Sequence, residues 1–127
     1  MKTGYVVALA MLGGMGIGAV SVHSLHAQAK PPVYMIGVVD ISNPDGYAKE
    51  YAPPAQASIR AHGGVQLAGG PGTVIEGSPP GSRFVIVRWD SMEQLKGWRY
   101  SPEYTATHKI GEKYAKFTVM AVNGVVQ

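Results

Sequence analysis

Residues Val33-Tyr-Met-Ile-Gly-Val-Val-Asp-Ile41 are rich in β-branched and aromatic side chains and run into the turn formers Ser42-Asn43-Pro44, so they read as a strand. The distribution of apolar residues along it limits the fold more than any motif in the chain. A sheet with helices on one face and water on the other alternates apolar and polar positions. Here Val33, Met35, Val39 and Ile41 share one face, and Tyr34, Ile36 and Val38 share the other. A strand near the end of the chain repeats the pattern, with Phe117, Val119 and Ala121 against Met120 and Val122. Both faces of the sheet need cover.

The remaining elements decide what supplies it. Asn43 caps a helix whose first position is Pro44, where the missing N–H costs nothing. Tyr47, Tyr51, Ala55 and Ile59 recur every four residues on one helical face, Pro53-Pro54 predicts a kink or two short helices, and His62-Gly63-Gly64 ends the segment. Val65–Ala68 reads as a short strand, Thr73–Glu76 as a small extra strand, and Arg83–Trp89 as the third main strand. Asp90 or Ser91, with Glu93 or Gln94, forms a capping box, and Met92, Leu95 and Trp98 give the next apolar face. Ser101-Pro102 restarts the helix, which runs through Tyr104, Thr107, Ile110 and Tyr114, and Lys116–Val125 is the last strand. The order βαββαβ defines an α+β, ferredoxin-like sandwich. Its helices cover one face of the sheet. A second copy covering the other would close a dimeric α+β barrel across a two-fold axis.

The first 29 residues have the three parts of a secretory signal. Lys2 precedes an uncharged stretch from Thr3 to Val22, and Ala27-Gln28-Ala29 offers small residues at −3 and −1. Cleavage is expected after Ala29, the alternatives being cleavage after Ala27 and an uncleaved anchor. The apolar run is just short of the roughly 20 residues that span a bilayer and is rich in glycine, which favours the cleaved signal. The domains are then a signal peptide at residues 1–29 and one α+β domain at residues 30–127, placed in the periplasm or outside the cell with no membrane contact after cleavage.

Removing those 29 of 127 residues leaves 98, with ten Lys/Arg and eight Asp/Glu. A net charge of +2 without clustering excludes a nucleic-acid footprint. The absence of cysteine removes disulfides, thiolate catalysis and Cys-based metal sites together. For so small an exported domain, dimerisation is the readiest source of further buried area.

Four pieces of the chain carry a family resemblance: Ile41-Ser-Asn-Pro-Asp-Gly-Tyr47, Tyr51, Ala61-His-Gly-Gly64 and the string Trp98-Arg-Tyr-Ser-Pro-Glu-Tyr104. With them the mature chain resembles the bacterial domain-of-unknown-function family 1330 (DUF1330), within the dimeric α+β barrel superfamily. The resemblance implies a ferredoxin-like protomer and a homodimer, and implies little chemistry. The wider superfamily includes cofactor-independent monooxygenases, haem-degrading and haem-peroxidase enzymes and lactone isomerases, so the fold alone names no reaction.

His62 and His108 are the two histidines of the mature chain and the candidate proton carriers. Neither sits in an HxxxH or HxH pair, so no metal site is expected. His62 reads first as a helix C-terminal residue favoured by the helix dipole. His108, one turn after Tyr104, reads as rim packing or, less simply, as a proton carrier or axial haem ligand. The cluster from Trp98 to Tyr104 is either a helix break or one wall of an apolar cleft, with Arg99 and Glu103 fixing a ligand's polar groups. Tyr34, Tyr47 and Tyr51 are core or interface aromatics unless their hydroxyls line a cavity. Arg83 and Arg88 fall on opposite faces of their strand, and Arg88 is placed to meet Asp40. No Gly-rich phosphate loop and no GxSxG is present.

These residues predict an exported homodimer that binds or modifies a small molecule in a cleft between sheet and helices, lined by Tyr51, His62, Trp98, Tyr104 and His108. No cofactor is expected. As an enzyme it would be a cofactor-independent monooxygenase or isomerase; the alternatives are a non-catalytic interaction dimer and a haem-binding protein.

Overall fold

Strand β1 (Val33–Ile41) lies inside a four-stranded antiparallel sheet of order β2-β3-β1-β4, with β2 (Val65–Gly70), β3 (Arg83–Trp89) and β4 (Ala115–Asn123). The computed structural model describes residues 30–127. The signal peptide expected at residues 1–29, with its cleavage sites, lies outside the described residues. Among those described, no helix is long and apolar enough to cross a membrane.

The first helical arm starts as its sequence dictates. Asn43 accepts a hydrogen bond from Gly46 N–H at 3.0 Å, and Pro44 opens the short α1 (Pro44–Gly46). A π-helical segment, Tyr47–Tyr51, follows and leads into α2 (Ala52–Ala61). The expected break at Pro53-Pro54 takes the form of a change in hydrogen-bond register: Ala52 N–H donates to the carbonyl of Tyr47, five residues back. Pro53 and Pro54 then sit in the first turn of α2, where neither needs a donor. His62 is the C-cap, and Gly63, at φ 89°, adopts the left-handed conformation that ends the helix. A Cβ on Gly64 would stand 2.8 Å from the Trp89 indole, so the Gly63-Gly64 pair serves both the turn and a close approach to the core.

The second arm has two helices, α3 (Met92–Arg99) and α4 (Pro102–Gly111). Ser91 accepts from Gln94 N–H at 3.1 Å, while the Gln94 side chain accepts from Asp90 N–H at 2.7 Å. Ser101 accepts from Tyr104 N–H at 3.1 Å and donates to the Trp98 carbonyl at 2.7 Å, so one hydroxyl ends α3 and starts α4.

Among the described residues, the helices pack on one face of the sheet. Val33, Met35, Val39, Val87, Trp89 and Ala115 meet Tyr47, Tyr51, Ala55, Leu95, Trp98 and Tyr104 in a single core. On the other face the β2–β3 connection lies over Val38 and Phe84, and no described residue packs over the rest. Strand register sets Ala68, Ile86, Ile36 and Met120 side by side in one apolar row across the four strands. Met120 keeps 52% of its surface exposed and Val122 keeps 50%.

Two expectations are corrected. Thr73–Glu76 is not a strand: β2 pairs only with β3, and the connection between them is irregular. Ile75 in that connection is 92% exposed and Val74 54%, so the stretch buries no apolar face of the kind a paired strand would. Arg88 does not meet Asp40. The strands are antiparallel, so Arg88 pairs with Tyr34 at one end of β1 while Asp40 pairs with Lys116 at the other.

Candidate functional site

A narrow cleft of about 60 Å³ lies between the sheet and the helical layer. Its walls come from Met35, Val85, Val87 and Phe117 on the sheet and from Tyr47, Tyr51, Ala55, Trp98 and Tyr104 on the helical side. Gln56, Gln66 and Arg83 are its further polar side chains. One guanidinium and no carboxylate lines it.

The helical wall is a run of stacked rings. Trp98 lies 4.1 Å from Tyr104 and 5.4 Å from Trp89, and Tyr51 lies 5.1 Å from Tyr47 and 5.0 Å from Phe117, centroid to centroid. Trp89 Nε1 is buried with no partner among the described residues, whereas the polar atoms of Trp98, Tyr51 and Tyr104 are hydrogen-bonded. Trp98 Nε1 donates to Ser58 Oγ at 2.9 Å, and Ser58 Oγ donates onward to the Ala55 carbonyl at 2.8 Å. The Tyr51 and Tyr104 hydroxyls are 2.5 Å apart and buried.

That hydroxyl pair has a proton count with a consequence. Two O–H groups share one hydrogen bond, so one proton remains for which the described residues supply no acceptor. Burial, with the neighbouring Tyr104 hydroxyl, pushes Tyr51 far above the ordinary phenol range. Burial also raises Tyr104, against the lowering effects of the Tyr51 hydrogen bond and Arg99. Both phenols are therefore neutral, and the pair is a donor rather than a base. Tyr47 is raised by burial as well, while the adjacent Arg83 pulls it partly back.

Tyr51, Trp98 and Tyr104 of the expected set line the cleft; His62, His108, Arg99 and Glu103 do not. Arg99 lies over the rings of Tyr100 and Tyr104, 5.5 and 5.7 Å from their centroids. Glu103 faces outward to His62 at 3.5 Å, and His62 Nδ1 lies 2.9 Å from the Ser58 carbonyl. His108 packs between Tyr104 and Phe117, with Glu112 at 3.8 Å. The two histidines thus stand behind the cleft's walls. Haem does not fit this arrangement: no histidine lines the cavity, which is several times smaller than the roughly 300–1,000 Å³ of pockets for drug-sized ligands. Among the described residues, no three His, Asp or Glu side chains gather as a metal site would require.

Arg83, Gln56 and Gln66 were not singled out as site residues from sequence. A signal for Arg83 was present, since it shares its strand face with Val85, Val87 and Trp89 and so breaks an otherwise buried row. Gln66 had none, because a bulge between Gln66 and Ala68 resets the register of β2.

The fold is ferredoxin-like α+β, and solved structures share it. A protein of unknown function from Rhodopseudomonas palustris superposes with a TM-score of 0.64 at 14% identity, covering 80% of this chain and 92% of that one. SnoaB, a cofactor-independent oxygenase from Streptomyces nogalater, superposes with a TM-score of 0.58 at 9% identity, covering 75% of this chain and 94% of its own. A protein from Caulobacter crescentus, provisionally classed as an antibiotic biosynthesis monooxygenase, gives 0.54 at 14% identity, with 76% and 92% covered. No curated protein sequence shows significant similarity to the chain. The chain belongs to the family described as Domain of unknown function (DUF1330), which it matches over residues 32–125. The family expected from the motifs is thereby established.

Proposed function

We propose that this chain is an exported homodimer whose protomers each bind, and in the enzymatic case modify, a small molecule in the cleft between sheet and helices. The observation that carries the reading is the Tyr51–Tyr104 pair, which presents an uncommitted, buried O–H donor beside apolar ring walls. Such a donor fixes a carbonyl or phenol oxygen while the rings hold the ligand's body. If the site is catalytic, cofactor-independent oxidation or isomerisation suits it, with the neutral tyrosines as donors to the oxygen on which charge develops. The fold shared with SnoaB supports that direction. The reading predicts a small molecule bound to protein recovered from the periplasm, detected by native mass spectrometry. Ala52→Trp, which plugs the cleft from α2, should abolish the adduct; an empty wild-type protein would count against the reading.

A second reading has its own observation. The apolar row of Ala68, Ile86, Ile36 and Met120 leaves the open face suited to a second sheet, so the dimer itself would be the functional unit of a non-catalytic interaction protein. Partner binding that survives Ala52→Trp would favour it.

A further inference from the structure

The cleft's polar end is built for one sign of charge. Arg83 opens β3 opposite Val39, on the helix-covered side of the sheet, and is half-buried. Its Nη2 lies 3.6 Å from where a Cβ on Gly69 would stand, and Gln66 Nε2 lies 2.5 Å from the same point. The missing side chain at Gly69 therefore lets two N–H donors from different strands settle over one stretch of backbone. The Tyr47 hydroxyl adjoins the guanidinium. Donors converge here, and the counter-charge does not. No Asp or Glu lines the cleft, and the ion pairs among the described residues are His62–Glu103 and His108–Glu112. Half-buried guanidinium groups are ordinarily matched by a carboxylate or phosphate, whose paired oxygens fit the planar fork. The cavity is too small for a phosphate ester with an attached nucleoside, and the rest of its wall is aromatic or aliphatic.

We infer that the cleft takes a small organic monocarboxylate, its apolar body against Trp98, Tyr104 and Phe117 and its carboxylate on Arg83 and Gln66. This rests on the cleft being a ligand site, and it adds the ligand's class. Arg83 is then a binding residue, with Gln66 as second donor. Gly69 positions both.

The test is calorimetric titration of the mature chain, residues 30–127, with benzoate, phenylacetate and hexanoate, each paired with its uncharged amide. At least one acid should bind about tenfold or more tightly than its amide at neutral pH, as one charge-assisted hydrogen-bond pair warrants. Arg83→Gln should erase that difference, bringing the affinity for the acid down to that for its amide. Arg83→Lys should keep part of it, because the charge remains and the fork is lost. Retained circular dichroism confirms that each variant is folded, and loss of the preference on raising salt provides the same reading on the wild type if Arg83→Gln fails to fold. Acid and amide binding equally well in the wild type would overturn the carboxylate and leave the cleft as a neutral-ligand site. Failure of all six compounds to bind, with a small molecule nevertheless found on periplasmic protein, would also overturn it. Failure of all six with no molecule found would remove both this inference and the reading beneath it.

Discussion

Both faces of the sheet carry apolar side chains and use them differently. On the helix-covered face, Val87 and Trp89 are fully buried, and the covering helices bring Tyr51, Trp98 and Tyr104, whose rings end in polar atoms. On the open face the central row is aliphatic or thioether, from Ala68 to Met120, with no hydroxyl in it. Rings with polar handles can hold and orient a ligand, whereas plain apolar rows can only exclude water. On the function proposed above, the difference would separate two tasks: ligand binding on the covered side and assembly on the open side.

The harshest way to break this comparison is to empty the covered side. Trp98→Ala removes the ring that joins Trp89 to Tyr104 and leaves the Ser58 hydroxyl without its indole donor. A loss of about 3–5 kcal/mol is expected for truncating a buried Trp, measured by urea denaturation. A cost under about 1 kcal/mol would show that the aromatic stack is not the core's keystone. The open side is attacked by Ile86→Glu, which sets a carboxylate in the middle of the apolar row. The wild type should sediment as a dimer and the variant as a monomer. At a concentration about 100-fold above the dimer Kd, the variant should also lose about 2.7 kcal/mol of apparent stability. If both proteins sediment as monomers, the open face has some other purpose and the assembly half of the comparison falls.

Much of this division was legible in the sequence. Residue alternation in Val33–Ile41 identified the row of β1 that meets the helices, and the Asn43-Pro44 and Ser101-Pro102 signals marked two helix starts that the structure reproduces, because caps act through local hydrogen bonds. Ring packing at Tyr51, Trp98 and Tyr104 followed from helical periodicity. The failures were non-local. Whether Arg88 meets Asp40 depends on which ends of antiparallel strands adjoin, and whether Glu103 faces the cleft or His62 depends on how α4 is rotated against α2. Gln66 reaches the cleft beside Arg83 across a bulge that no residue type announces. Chemistry-bearing residues on helix faces were visible; the polar end of the site, assembled by strand register, was not.

A finer cut leaves the covered side standing and removes only one hydroxyl of the pair. Tyr104→Phe keeps the ring stack and deletes one member of the hydroxyl pair, so the Tyr51 hydroxyl loses its partner. A stability cost of about 1 kcal/mol is expected by thermal denaturation, at the low end for an unpaired buried hydroxyl because a water in the cleft can replace the lost partner. Its effect on ligand capture should be larger than its effect on stability. Equal losses in both would mean that the pair braces the fold and holds no ligand.

The smallest effect concerns His108, which lies at the border of the covered side between Tyr104 and Phe117. Burial and the nearby Arg99 lower its pKa below the ordinary 6.5, against the raising effect of Glu112. The unfolded chain therefore binds a proton on this ring at a higher pH than the folded chain does. As pH falls below about 6.5, the unfolded state gains protons first and stability drops; once pH is below the folded value as well, the loss is complete. His108→Gln should remove this slope, so that the difference in melting temperature between wild type and variant changes between pH 7.5 and 5. Above pH 7.5 it should be constant. Parallel curves across the whole range would show that the ring is solvated like any surface histidine, and that the aromatic wall ends at Tyr104 instead of continuing through His108 to Phe117. The same titration bears on catalysis. A ring held neutral by burial and by a guanidinium is poorly suited to keeping a proton at neutral pH, so an activity that survives His108→Gln would place proton handling on the tyrosine pair inside the cleft.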